Sequence, residues 1–315
     1  PARDGHGMQV ARVGDTYVFL FYTYDAEGAP EWYLGTGRQM DSKGASYAAT
    51  VKLAQERGYA EADPTMDVDG TDAAQKLAIL AHLAFGATVD WRDIPRKGID
   101  KLQPMDLKYA RELGYRIKLL AVARLVDEEL ELSVAPTLIR VGTPMAEVQD
   151  AFNAISVDGD AVGPVFFHGL GAGQMPTASA VVADLIDTAV GRTSLTFRTL
   201  EYFSSEHPPR VLQRDVDTLL GRFYLRLQVS NHPGTLAAIA GVLAKHQVSI
   251  ASVIQHETDP SGLPSDDGVA DEHADEMTVV IMTHACEEGA ASAAAEEIAS
   301  LEAVLGDLVR MPVKS

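Results

Sequence analysis

The chain has a single cysteine among its 315 residues, Cys286, so an internal disulfide is excluded and a reducing compartment is indicated. It has no apolar run near the roughly 20 residues that a membrane-spanning helix needs, and no signal-peptide pattern at its start. We therefore expect a soluble, cytoplasmic protein. The shortage of basic residues gives a formal net charge of -19, which argues against nucleic acid or an anionic membrane as a partner.

Two kinds of site signature are missing. The nine histidines show no metal-ligand spacing, so we expect no metal site, and His82 and His168 are interpreted as isolated. A dinucleotide-binding βαβ unit needs G-x-G-x-x-G between a strand and a helix. The nearest approach is Gly35-Thr36-Gly37, where Met40 stands in the position of the third glycine. A turn is the better interpretation of these glycines.

Residues 1–39 differ in composition from the rest of the chain, because seven aromatic residues fall within them. Thr16–Tyr24 and Glu31–Leu34 are predicted strands of a β-hairpin around a turn-rich segment at residues 25–30. The first residue is Pro1 rather than Met. We therefore expect a fragment, a processed form or a fusion.

The most informative stretch is Gly58–Lys76, in which carboxylates crowd a loop that leads into a helix. Its acidic residues, answered by the one cation Lys76, are Glu61, Asp63, Asp67, Asp69 and Asp72. Apolar spacing predicts a helix that Thr71 caps and that ends at Phe85, before Gly86. Its predicted buried face consists of Ala73, Leu77, Leu80, Ala81 and Ala84. Asp72 and Lys76 then lie at i and i+4 on one helix face, where an exposed salt bridge is the alternative to a substrate site.

Two long motifs in this chain resemble those of homoserine dehydrogenases. GYAEADPT, followed by an aspartate four residues before a lysine and then by KLAILAHLAFG, resembles the substrate-binding signature of that family. GLGAGQMPTASAVVADLIDTA, at residues 169–189, resembles its second hallmark. The chain from Arg222 onward resembles the ACT domain that many members carry. The resemblance extends from about Met40 to the C-terminus.

The resemblance implies an activity and a set of site residues. The implied reaction is the NAD(P)-dependent interconversion of L-aspartate 4-semialdehyde and L-homoserine, with catalytic roles for Asp72 and Lys76. Substrate binding is implied for Glu61, Asp63, Asp67 and Asp72. Contact with the nicotinamide cofactor is implied for Gly169, Gly171, Ala172 and Gly173. The choice between NAD and NADP is left open.

The pattern of elements and the resemblance together predict an α+β chain with four segments. These are an unmatched hairpin segment (1–39), a mixed-sheet substrate and oligomerisation domain (40–197), a linker (198–220) and an ACT regulatory domain (221–315). In the second segment the predicted strands are Tyr115–Val126, Glu129–Ile139, Ala154–Val157 and Gly163–His168. The predicted helices there, besides the one from Thr71, are Ser42–Arg57, Gln103–Leu113, Met145–Phe152 and Thr177–Val190.

The last domain is predicted to have the ferredoxin-like order βαββαβ. Its predicted elements are Phe223–Val229, Thr235–Lys245, Val248–Gln255, Met277–Thr283, Glu288–Leu301 and Leu308–Val313. The turn Asn231-His232-Pro233-Gly234 resembles the effector-binding turn of ACT domains, which implies effector contacts for Asn231, His232 and Gly234. A plain strand-to-helix turn is the alternative. Threonine is the best effector candidate, because it is an end product of the implied pathway.

We therefore predict a homoserine dehydrogenase-like oxidoreductase of threonine and methionine biosynthesis, homo-oligomeric and allosterically regulated by an amino acid. The nucleotide-binding domain of the family is not recognisable here, so we expect little homoserine oxidation by this chain alone. The alternatives are a non-catalytic amino-acid-sensing or oligomerisation protein and a fusion product.

Overall fold

The structure is a computed structural model that describes residues 65–148, 152–171, 173–195, 211–257 and 276–314, with four short strands between residues 11 and 31. The chain divides into two compact units. The first consists of Pro1–Ala135 and Ile139–Leu212, and the second of Pro136–Leu138 and Gln213–Ser315.

The first residues form two short strand pairs rather than the single hairpin that the sequence predicts. Strand β1 (Ala11–Val13) pairs antiparallel with β2 (Thr16–Val18), and β3 (Thr23–Tyr24) pairs with β4 (Pro30–Glu31). The turn-rich segment separates β3 from β4, as predicted. The predicted first strand, Thr16–Tyr24, is divided between β2 and β3. The predicted helix Ser42–Arg57 lies outside the described residues.

In the described part of the chain, the α-helices that precede the sheet of the first unit are α1 (Thr65–Val68), α2 (Thr71–Phe85) and α3 (Pro104–Glu112). Gly86 ends α2 as predicted, because it adopts a left-handed φ of 68° and its N–H bonds to the carbonyl of His82. The predicted buried face was partly wrong. Helix α2 buries Ala74, Leu77 and Ala81 against β6, while Leu80 is 41% exposed.

Two long strands, β5 (Tyr115–Val126) and β6 (Glu129–Arg140), form the core layer and confirm the prediction. Leu130, Leu132 and Val134 of β6 are almost fully buried. The two residues between the strands, Asp127 and Glu128, have φ values of 51° and 67°. Such a left-handed pair matches the twist of the flanking strands, although glycine or asparagine is the usual choice.

A second hairpin and one long helix complete the described part of this unit. Strand β7 (Phe152–Gly159) pairs antiparallel with β8 (Gly163–Leu170), and α4 (Gln174–Ala189) follows. The strands and the helix were predicted, with shorter bounds.

The predicted short helix Met145–Phe152 is wrong. Residues 143–147 form turns, and Phe152 begins β7. The buried ammonium of Lys118 donates to the carbonyl oxygen of Val148 at 2.6 Å, and the backbone N–H of Gly142 donates to the Glu147 carboxylate at 3.1 Å. These two bonds join the segment to side chains and hold the turns in place.

The second unit has the predicted βαββαβ order. Its elements, after the short β9 (Leu212–Gln213), are β10 (Leu220–Ser230), α5 (Thr235–Lys245), β11 (Ile250–Glu257), β12 (Glu276–Thr283), β13 (Cys286–Glu287), α6 (Glu288–Ala299) and β14 (Val309–Lys314). The four main strands lie in the order β11-β12-β10-β14, and adjacent strands are antiparallel. This is the ferredoxin-like arrangement, with a core between sheet and helices that includes Leu227, Ile239 and Ile298.

Candidate functional site

The acidic segment before α2 is held in place by its backbone and by one of its own carboxylates. The N–H of Ile99 donates to the carbonyl of Val68 at 2.8 Å, and a Cβ on Gly98 would overlap the same carbonyl. The backbone N–H of Thr71 donates to Asp69 at 2.7 Å. Asp69 therefore stabilises the start of the helix, which the sequence had assigned to Thr71. Gly70 is the N-cap, with φ 83°, and Thr71 is the first, buried helical residue.

Asp72 and Lys76 meet on the exposed face of α2, as their spacing predicts. The Lys76 ammonium donates to the Asp72 carboxylate at 2.6 Å, and the two side chains are 64% and 37% exposed, respectively. An exposed pair of this kind stabilises a helix by only ~0.3–0.5 kcal/mol. Both groups are accessible, so a cation and an anion are offered side by side to a zwitterionic ligand.

The remaining predicted substrate residues are placed differently. Asp67 lies on α1, two residues before Asp69. Glu61 and Asp63 lie outside the described residues, so their role in substrate binding stays a prediction.

The glycine loop joins the end of β8 to α4. Gly169 is the cross-strand partner of Asn153, and a Cβ on Gly169 would meet nothing within 4 Å. Gly173 caps α4 with φ 109°, and no side chain caps this helix end. A Cβ on Gly171 would overlap the side-chain amide of Asn153. Ala172 is outside the described residues.

Sequence reasoning missed Asn153 and misjudged His168. The imidazole of His168 stacks on the ring of Phe152 at a centroid distance of 4.7 Å, with Phe166 at 6.2 Å. Phe152, Phe166 and His168 share one face of the β7–β8 hairpin, and only the register of the hairpin brings them together. His82 is likewise not isolated, since its Nδ1 lies 3.0 Å from the carbonyl oxygen of Ala87.

The turn between β10 and α5 is compact and leaves several of its groups exposed. The N–H of His232 donates to the carbonyl of Ser230 at 2.9 Å, and the buried Thr235 hydroxyl donates to the same carbonyl at 3.1 Å. Gly234 caps α5 with φ 98°, without a side-chain cap, and a Cβ there would meet nothing within 4 Å. Asn231 and His232 are exposed. The Thr235 N–H donates to the carbonyl of His232 at 3.2 Å, so any carboxylate at this helix end would be met by the backbone N–H groups that follow Thr235.

Cys286 is not a candidate nucleophile. It is buried in the core of the second unit, and burial raises the pKa of its thiol. Among the described residues, no group of three or more histidines, cysteines and acids is arranged to hold a metal ion. None of the described helices is long and apolar enough to cross a membrane.

Two family models match this chain. The homoserine dehydrogenase model matches residues 37–186, which include the acidic segment and the glycine loop. The ACT domain model matches residues 223–303, which include the turn before α5.

Curated relatives carry the same description. A homoserine dehydrogenase of Neisseria gonorrhoeae is 41% identical over 278 residues, which is 87% of this chain and 60% of that protein. The homoserine dehydrogenase of Pseudomonas aeruginosa is 39% identical over 290 residues, covering 89% of this chain and 63% of the relative. The chain thus spans about 60% of the length of the curated relatives it matches.

Solved structures agree with the sequences. The crystal structure of a homoserine dehydrogenase from Thiobacillus denitrificans superposes with a TM-score of 0.68 at 38% identity, covering 86% of this chain and 59% of that one. The homoserine dehydrogenase of S. aureus superposes with a TM-score of 0.56 at 28% identity, covering 85% of this chain and 59% of that one.

Proposed function

Because this chain belongs to the homoserine dehydrogenase family and carries an ACT domain, we propose that it acts in the NAD(P)-dependent interconversion of L-aspartate 4-semialdehyde and L-homoserine. The observation that carries the proposal is the Asp72–Lys76 pair, which lies exposed on α2 within the matched region. An accessible ammonium beside an accessible carboxylate suits a substrate with a carboxylate, an ammonium and a hydroxyl group.

Each group of the pair has a proposed role. Lys76 holds or exchanges the proton that leaves the hydroxyl of homoserine as hydride is transferred. Asp72 orients the Lys76 ammonium, which it contacts at 2.6 Å, and binds the substrate. Glu61, Asp63 and Asp67 are further proposed substrate ligands, because their carboxylates precede this pair in the same acidic segment.

The glycine loop is the proposed cofactor contact. Homoserine dehydrogenases use NAD or NADP. When bound, this dinucleotide supplies the hydride acceptor. Gly169, Gly171, Ala172 and Gly173 are proposed to lie against the nicotinamide, because a chain without side chains lets a flat ring approach the backbone. Which of the two dinucleotides is used stays an open part of the proposal.

The domain and regulatory assignments also belong to the proposal. We assign residues 40–197 to substrate binding and oligomerisation, 198–220 to a linker and 221–315 to an ACT domain that binds an amino acid, with threonine as the best candidate. Residues 1–39 are a separate segment. The single cysteine favours a cytoplasmic, reducing location.

Homoserine oxidation tests the function. The reduced nicotinamide is followed by absorbance for residues 1–315 alone and for the same chain joined to the part of the Neisseria gonorrhoeae relative that the match does not cover. We expect turnover from the joined protein and little from the chain alone. In the joined protein, Lys76→Ala should lower turnover about 10²–10⁴-fold, the range for losing a positioned acid or base.

The matched control is Arg192→Ala. Arg192 and Asp187 form a similarly exposed ion pair, with 2.9 Å between nitrogen and oxygen, at the end of α4. If Lys76→Ala affected turnover no more than Arg192→Ala does, the Asp72–Lys76 pair would be a surface salt bridge only. If the joined protein bound threonine but never oxidised homoserine, a non-catalytic amino-acid-sensing protein would be the better interpretation.

A further inference from the structure

The Asn153 side chain lies beside Gly171, where a side chain on residue 171 would displace it. The φ of Gly171 lies outside the left-handed region, unlike that of Gly173. A Cβ on Gly171 would overlap both the nitrogen and the carbon of the Asn153 amide group. The register of the β7–β8 hairpin sets this contact, because Asn153 is paired across the strands with Gly169. The amide therefore occupies the space beside the loop that a side chain on residue 171 would fill.

The Asn153 amide has unused hydrogen-bonding capacity. Within the described part of the chain its side chain makes no hydrogen bond, and the residue is exposed. An asparagine amide has two N–H donors and a carbonyl acceptor. These groups border a loop on which a Cβ at Gly169 would meet no atom within 4 Å. A ligand seated on the loop would thus meet a donor and an acceptor at its edge.

We propose that Asn153 is a ligand-positioning residue that pairs with the primary carboxamide of a nicotinamide ring seated on the glycine loop. This inference rests on the proposed function, which supplies a nicotinamide there. The Asn153 Nδ2–H groups donate to the carboxamide oxygen, and Oδ1 accepts from the carboxamide nitrogen. Two planar amides fit each other in this way without any charge. The adenine edge offers a similar donor and acceptor pair, so adenine is the competing source of the same chemistry.

The composition of the chain allows a direct test. Asn153 and Asn231 are the only asparagines in the 315 residues. Selective ¹⁵N-asparagine labelling of the full chain therefore yields two side-chain amide groups, and the spectrum of Asn153→Ala assigns them. The labelled chain is titrated with nicotinamide mononucleotide and, separately, with ADP. We expect nicotinamide mononucleotide to shift the Asn153 side-chain signals and to leave those of Asn231 in place. No shift of Asn153, or a shift with ADP as large as with nicotinamide mononucleotide, would overturn the assignment.

Three variants separate ligand contact from packing. Asn153→Ala should leave the melting temperature near that of the parent chain, because the residue is exposed, and should weaken nicotinamide mononucleotide binding about tenfold, as expected for losing a hydrogen-bonding group. Gly171→Ala should also leave the melting temperature near that of the parent chain, because the exposed Asn153 side chain can rotate away from the new methyl group, and should weaken nicotinamide mononucleotide binding by displacing the amide. The double variant Asn153→Ala/Gly171→Ala should bind no more weakly than Asn153→Ala, because the methyl group at residue 171 acts through the amide. Unchanged binding of nicotinamide mononucleotide by Asn153→Ala would overturn the proposal.

The two proposals fail in different ways. Homoserine oxidation by the joined protein, with Asn153 signals that nicotinamide mononucleotide does not shift, would overturn this inference and leave the proposed function standing. Shifted Asn153 signals without homoserine oxidation would support a nicotinamide site and overturn the proposed homoserine dehydrogenase reaction.

Discussion

The second unit buries most of its apolar side chains in one core, whereas the β7–β8 hairpin and helix α4 of the first unit leave theirs exposed. In the second unit, Leu227, Ile239 and Ile298 are at most 1% exposed. Helix α4, although longer than α5 or α6, buries none of its residues. Its Leu185 is 63% exposed and its Ile186 is 51% exposed.

This difference shows that an apolar pattern indicates a face to be covered but not what covers it. The apolar residues of α4 recur one, three and four positions apart, which is the spacing of a buried helix face: Val181, Val182, Leu185 and Ile186. Helix α5 is similarly rich in apolar residues, and these pack against the sheet of its own unit. Exposed apolar groups of this extent mark contact surfaces in soluble proteins. The second unit therefore has a closed core of its own, whereas the apolar face of α4 has no covering partner among the described residues.

The strongest test of the comparison separates the units. Residues 213–315 alone should unfold in one cooperative transition, because their core is closed. Residues 40–197 alone should self-associate or lack a cooperative transition, since the exposed face of α4 lacks a partner. Circular dichroism melts and light scattering of both fragments make the comparison. A monomeric, cooperatively folded 40–197 fragment would contradict it.

Paired leucine truncations should differ by several kcal/mol. Leu227→Ala removes a side chain with no exposure and should cost about 2–5 kcal/mol of unfolding free energy. Leu185→Ala removes one that is 63% exposed and should change it by no more than about 0.5 kcal/mol. Urea denaturation of the full chain measures both. An equal loss at Leu185 would mean that α4 is covered in solution.

An amino-acid effector should stabilise the second unit selectively. Threonine at about 100 times its Kd should add about 2.7 kcal/mol to the unfolding free energy. Asn231→Ala should reduce this gain and leave the ligand-free melting temperature unchanged, because the Asn231 side chain is exposed and makes no hydrogen bond among the described residues. Calorimetry with threonine, methionine, lysine and isoleucine measures the binding heat. Gly234 is a poor target, because a side chain at its φ of 98° strains the fold itself. No heat with any of the four would leave the tail without an effector role.

The smallest expected effect concerns pH. Hydrogen bonds from Lys245 and His246, at 2.8 and 2.7 Å, lower the pKa of the Glu297 carboxyl and join α5 to α6. A carboxyl with a lowered pKa in the folded state contributes stability above its ordinary pKa and loses it as the pH falls through the lowered value. Glu297→Gln should therefore lower the melting temperature slightly at neutral pH and have no effect in strong acid.

The control for this change is the neighbouring Glu296→Gln. Glu296 is exposed and makes no ion pair among the described residues, so its replacement should leave the melting temperature unchanged at every pH. Equal effects of the two variants would show that net charge, and not the contact between the helices, sets the pH dependence.

Much of the fold could be predicted because its signals are local. The predicted bounds of Thr235–Lys245 and Tyr115–Val126 are those of α5 and β5. A glycine before the helix and alternating branched residues in the strand act within a few positions. The helix predicted at Met145–Phe152 failed, and the segment makes a contact that no local pattern reveals: Lys118 bonds to Val148 across 30 positions.

The sequence by itself determined the order of elements, the two motifs that resemble homoserine dehydrogenases, and the contact of Asp72 with Lys76, which needs only helical spacing. Only the tertiary structure decided that Asn153 lies beside Gly171 and that α4 lacks a covering partner among the described residues. Periodicity fixes which way a side chain points on its own helix or strand. Strand register and packing fix which remote group it meets.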